Sequence, residues 1–112
     1  MENKKTDRLI WFKGDIIPVG DAKINVLSPT SQFGANVFEG LRAYWNVSEK
    51  QLYVFKLPEH IDRLQNSIKM LELEATFTNV FLQKSVIDII QANKFQEDLV
   101  CRQTVFLDGF GN

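Results

Sequence analysis

The chain has 112 residues, enough for one domain with a modest core, and combines 45% hydrophobic residues with a formal net charge of −1. That balance leaves no basic excess to draw the chain to nucleic acid or anionic lipid. The N-terminal MENKKTDR is charged and leads into the apolar run LIWF, too short for a secretory signal or a membrane span. A single cysteine, Cys101, leaves no internal disulfide to form and suits a reducing, cytoplasmic setting.

Residues 1–8 read as a polar tail and 9–112 as one domain, with no repeat, low-complexity stretch or linker between. Leu9 to Phe12 is a β-rich run that meets Gly14-Asp15, a hairpin turn signal, and continues as Ile16 to Val19. Residues 20–35 mix Gly, Asp, Asn, Ser and Pro and read as loop, with room for a short helical turn. Two strands follow, Val37 to Trp45 and Leu52 to Leu57, joined by NVSEK. Pro58 sits where a helix tolerates proline, and Ile61, Leu64, Ile68 and Leu71 recur at helical spacing, so 58–72 is an amphipathic helix. Thr78 is a helix N-cap for a second stripe of Leu82, Val86, Ile89 and Ile90 that ends near Asn93. The last strand runs from Leu99 to Leu107 and stops at DGFGN. Strands, two helices and a strand make an α+β fold with a largely antiparallel sheet.

The central strand carries VFEGLR, a glycine between opposite charges. Strand alternation puts Phe38, Gly40, Arg42 and Tyr44 on one face and Val37, Glu39, Leu41, Ala43 and Trp45 on the other. A gap at Gly40 between an aromatic ring and a cation marks either space for a ligand or a β-bulge that corrects the twist. Glu39 needs a partner if it is buried. Arg63 reads as a solvated helix arginine, or as one paired with Glu59 one turn earlier on the same face, although its forked donors also suit an anion. His60, the only histidine, reads as structural, and Cys101 as a small core residue rather than a nucleophile. One histidine and one cysteine do not close a metal-ligand set.

FGANVFEGLRAYWN followed by QLYVFKLPEHIDRLQNSIKML resembles the N-terminal region of branched-chain amino acid aminotransferases, which are fold type IV enzymes dependent on pyridoxal 5′-phosphate. IWFKGDIIP, DAKINVLS and the final arginine-bearing strand come in the same order and spacing, so the resemblance covers Leu9 to the C-terminus. It implies the small N-terminal domain of a two-domain enzyme that forms an obligate homodimer. The Schiff-base lysine of the family belongs to the missing C-terminal large domain, and none of the nine lysines here lies in a matching motif. On that reading this chain alone is inactive, and the complete enzyme moves an amino group between leucine, isoleucine or valine and 2-oxoglutarate. Other fold type IV enzymes (amine or D-amino acid transaminases, aminodeoxychorismate lyase) and a non-catalytic α+β interaction module are the alternatives.

The resemblance also assigns roles. Arg63 matches the cofactor-phosphate arginine. Phe38 matches the wall of the substrate's aliphatic side chain, Gly40 leaves room for that side chain, and Arg102 matches the arginine that receives the side-chain carboxylate of glutamate. Phe33 and Val100 depart from the pattern, which commonly has tyrosine at both places. Phe38, Phe106 and Phe110 are expected to pack against the missing domain or a partner subunit.

Overall fold

The computed structural model describes residues 7–109. Strands β1 (Leu9–Phe12) and β2 (Asp15–Pro18) form an antiparallel hairpin with Phe12 opposite Asp15. Its turn is Lys13-Gly14, one residue earlier than the Gly14-Asp15 signal suggests. Both residues have positive φ, at 54° and 92°, the backbone that a tight two-residue hairpin demands and that glycine adopts without strain. Val19 leaves the strand for a short 3-10 turn, Val19–Asp21.

Helix α1 (Pro29–Phe33) is the helical turn within the 20–35 segment. Ser28 caps it by accepting a bond from the Ser31 amide at 3.3 Å, and Pro29 opens it. Among the described residues the α-helices therefore number three rather than two.

Strand β3 (Asn36–Asn46) is the spine of the molecule. It pairs antiparallel with β4 (Gln51–Val54) at its far end and with β5 (Leu99–Phe106) along Asn36 to Ala43. The order β4-β3-β5 makes a three-stranded sheet separate from the hairpin, so the expected antiparallel sheet is divided in two. The expected strand to Leu57 stops at Val54, because Lys56 takes a left-handed φ of 54° and turns the chain into the next helix.

Helices α2 (Leu57–Met70) and α3 (Asn79–Asn93) cover one face of this sheet. Val37 from β3, Ile61, Leu64 and Ile68 from α2 and Leu82 from α3 pack as one buried cluster, and Leu41, Ala43 and Val86 are buried as well. Leu71 does not join the stripe: α2 ends at Met70 and Leu71 is exposed. Thr78 caps α3, its hydroxyl accepting from the Phe81 amide at 3.1 Å. The hairpin docks on α3 by an edge contact of Trp11 with Phe81 and by Asn93, which bonds both backbone groups of Leu9 at 2.8 and 2.9 Å. Phe106 stacks on Phe12 with centroids 6.0 Å apart, so a contact within the chain occupies it. Phe110 lies outside the described residues. No helix among the described residues is long and apolar enough to cross a membrane.

Candidate functional site

The alternation along β3 holds residue by residue from Val37 to Tyr44, while Trp45, expected on the buried face, is half-buried at the strand's end. Val37, Glu39, Leu41 and Ala43 are buried beneath the helices, whereas Phe38, Gly40, Arg42 and Tyr44 are exposed on the opposite face. On β5, Val100, Arg102 and Thr104 share that open face. The register sets Gly40 opposite Arg102, Phe38 opposite Thr104 and Arg42 opposite Val100. Phe38 and Arg102 are thus diagonal neighbours, within reach of long side chains. The Arg102 guanidinium carbon lies 4.4 Å from the centroid of the Phe38 ring. A cation over an exposed ring contributes about 0.5–1 kcal/mol, enough to favour one rotamer of Arg102 without locking it.

Gly40 is not a bulge. Pairing from Asn36↔Phe106 to Ala43↔Leu99 runs without an inserted residue, and Gly40 lies outside the left-handed region. A Cβ built there meets no atom within 4 Å. The glycine therefore keeps a space open beside Phe38 and Arg102 that nothing among the described residues fills. An apolar ring, a gap and a guanidinium on one face can receive both an aliphatic chain and a carboxylate.

Glu39 points the other way. It is 8% exposed, and its Oε1 accepts from His60 Nδ1 at 2.8 Å. The Arg63 Nε lies 3.7 Å from the same oxygen, in ion-pair range but too far for a hydrogen bond. The pairing with Glu59 is not made; among the described residues, Arg63's ionic partner is Glu39. A solvated Glu59 gains little from a partner, while a buried carboxylate costs several kcal/mol if left alone. Arg63 keeps 72% of its side chain exposed, and no residue among the described ones bonds its terminal amino groups.

The structure thus brings together Phe38, Gly40, Arg102 and Val100. It does not bring Arg63 to them, since Arg63 approaches the sheet from the helical side. Phe33 projects from α1 with 83% of its surface exposed and joins neither group. Val100 is 68% exposed, an apolar residue on the same face as Arg102. Cys101 faces the helices, and burial raises its thiol pKa, which agrees with a packing role. Sequence reasoning missed the link between Glu39 and Arg63; its only signal was the three-residue spacing of His60 and Arg63, which puts both on one helical face.

The family model for amino-transferase class IV matches residues 36–111, from the start of β3 to beyond the end of β5. The chain belongs to this family. The branched-chain-amino-acid aminotransferase of Salmonella typhimurium is 34% identical over 111 residues, 99% of this chain and 35% of that protein. Among solved structures, the branched-chain aminotransferase of the thermophilic archaeon Thermoproteus uzoniensis, crystallised with norvaline, superimposes with a TM-score of 0.86 at 39% identity. That match covers 91% of this chain and 34% of the other. The branched-chain amino acid aminotransferase of Thermobaculum terrenum, in its PLP-bound holo-form, has a TM-score of 0.82 at 27% identity, over 92% of this chain and 34% of that one. The chain spans about a third of the length of the curated relatives it matches. Its α+β fold is that of the N-terminal part of these aminotransferases.

Proposed function

We propose that this chain is the small N-terminal domain, residues 9–112, of a pyridoxal 5′-phosphate-dependent branched-chain aminotransferase. The complete enzyme exchanges an amino group between leucine, isoleucine or valine and 2-oxoglutarate in the cytoplasm. The observation that carries this reading is the open-face cluster, with Arg102 stacked on Phe38 beside the space at Gly40. Phe38 and Gly40 receive the aliphatic side chain, and Arg102 receives the distal carboxylate when the bound amino acid is glutamate. Val100 borders the same substrate region, whereas Phe33 stands apart on α1 and is assigned to it by the family resemblance alone. One site thereby accepts two unlike substrates in turn, as transamination between them requires.

The donor set suits the cofactor at one edge. Arg63 presents a permanently charged, forked donor to a phosphate dianion, and its contact with Glu39 leaves the terminal nitrogens for that purpose. One such bond contributes about 1.5–3 kcal/mol, so the remaining contacts come from the large domain. When bound, pyridoxal phosphate supplies the carbonyl that takes up the amino group and the ring that withdraws electrons as the α-proton leaves. This chain binds and orients; the Schiff-base lysine belongs to the large domain, and a second copy of the enzyme completes the site as a homodimer.

Arg102→Met in the complete enzyme tests the assignment. We expect kcat/KM for 2-oxoglutarate to fall about 10–100-fold, from loss of a charge-assisted bond. The value for leucine should stay within about threefold, since an aliphatic chain makes no such bond. An equal loss for both substrates would contradict the role of Arg102. Phe33 and the exposed Val100 favour a second reading within fold type IV, an amine or D-amino acid transaminase. Neither supplies the phenol hydroxyl that the branched-chain pattern places there.

A further inference from the structure

The strand that turns Phe38 and Gly40 to the open face turns Glu39 to the helices. Every other helix-facing position of β3 from Val37 to Ala43 is apolar, so a carboxylate here runs against the packing. Glu39 is 8% exposed and is met by two side chains of α2, His60 and Arg63. We propose that Glu39, supported by His60, is a positioning residue that holds the Arg63 guanidinium in place for the phosphate of the cofactor. This rests on the assignment of Arg63 given above.

Three features carry it. First, His60 Nδ1 donates to Glu39 at 2.8 Å, and the His60 side chain is only 20% exposed. That bond satisfies Glu39 and fixes its carboxylate at the base of α2 without help from Arg63. Second, Arg63 is turned by its Nε towards the same oxygen at 3.7 Å. At that distance the charge steers the guanidinium, yet no donor is consumed. Third, Arg63 is otherwise 72% exposed, and a free arginine of that kind loses rotamer entropy when it binds. An electrostatic tether at Nε removes part of that loss and leaves the two terminal nitrogens for a forked contact. Because Glu39 lies between Phe38 and Gly40, one short stretch of β3 sets both the substrate wall and the phosphate arm.

The test uses the complete enzyme in its apo form. Dissociation constants for pyridoxal 5′-phosphate and for pyridoxal, which lacks the phosphate, are measured by absorbance titration. The variants are Glu39→Gln, Arg63→Gln and the two combined, with His60→Asn as a second route if Glu39→Gln does not fold. Arg63→Gln should weaken pyridoxal phosphate about 10–100-fold, and Glu39→Gln about three- to tenfold. Neither should change pyridoxal binding, and the combined variant should be no weaker than Arg63→Gln alone. His60→Asn should follow Glu39→Gln. If Arg63→Gln weakens the phosphate ligand but Glu39→Gln and His60→Asn do not, the positioning role is overturned while Arg63 keeps its assignment. The positioning role is likewise overturned if they weaken pyridoxal equally, or if the effects of Glu39→Gln and Arg63→Gln add in full. If Arg63→Gln leaves both ligands unchanged, the assignment of Arg63 fails and the positioning role fails with it.

Discussion

Substituting Gly40 separates what the fold needs from what the site needs. A glycine in a strand interior is less stable than alanine by roughly 0.5–1 kcal/mol, because it loses more backbone entropy on folding. Here the usual reasons to keep it are missing: the ladder has no bulge, φ is not left-handed, and an added Cβ meets nothing within 4 Å. Gly40→Ala should therefore stabilise the chain. In a domain of this size 1 kcal/mol moves the melting temperature by about 4–8 °C, so a rise of a few degrees is expected by circular dichroism. Gly40→Val goes further, because its two methyl groups project into the space beside Phe38 and Arg102. If that space holds the substrate's aliphatic chain, the overlap costs about 1–3 kcal/mol, or roughly 5–150-fold in kcat/KM for leucine in the complete enzyme. The strand should remain as stable as in the alanine variant. A Gly40→Ala chain destabilised by more than about 1 kcal/mol would show that the glycine is structural after all. Unchanged leucine kinetics in Gly40→Val would show that the space is not the substrate's.

The two departures from the family pattern give a second test. Phe33→Tyr and Val100→Tyr each restore a hydroxyl worth about 0.5–1.5 kcal/mol, so kcat/KM for 2-oxoglutarate should rise severalfold with leucine little changed. No selective gain would favour the amine or D-amino acid reading. Removing the cap of α3 by Thr78→Ala should cost about 1 kcal/mol in urea unfolding, and no loss would mean that the bond to the Phe81 amide is dispensable. Burial raises the Cys101 pKa, so the folded chain should react with a thiol reagent more slowly than free cysteine at pH 8 and gain rate only at higher pH. The contribution of this raised pKa to stability is present at neutral pH and is lost as pH rises through the folded value. Reactivity equal to that of free cysteine would refute the packing role.

Much of the open face was legible because strand alternation has a period of two and is local. Phe38, Gly40, Arg42 and Tyr44 fall on one side whatever the strand pairs with. That Phe38 and Arg102 touch depends on the register of β3 with β5, across more than sixty residues of chain, and no local pattern encodes it. The i,i+4 rule offered Glu59 to Arg63, but burial made Glu39 the stronger claimant, and burial is a tertiary property. The hairpin was readable from its turn residues, whereas its separation from the main sheet follows from docking on α3 through Trp11 and Asn93. Phe106 was expected to pack against the large domain or a partner subunit; within the chain one contact it makes is with Phe12, almost one hundred residues away, which no local pattern encodes. Leu71 fitted the helical period, but α2 ends one residue before it.

The proposed function requires this fold to present the substrate wall and phosphate arm of a branched-chain aminotransferase. The complete polypeptide, purified with pyridoxal 5′-phosphate, should be incubated with L-leucine and 2-oxoglutarate and assayed for glutamate. Glutamate should form at a rate that saturates in both substrates, and L-isoleucine and L-valine should also support it. Amino transfer only from D-alanine or a simple amine, or none from any of the three branched-chain amino acids, would contradict the proposal.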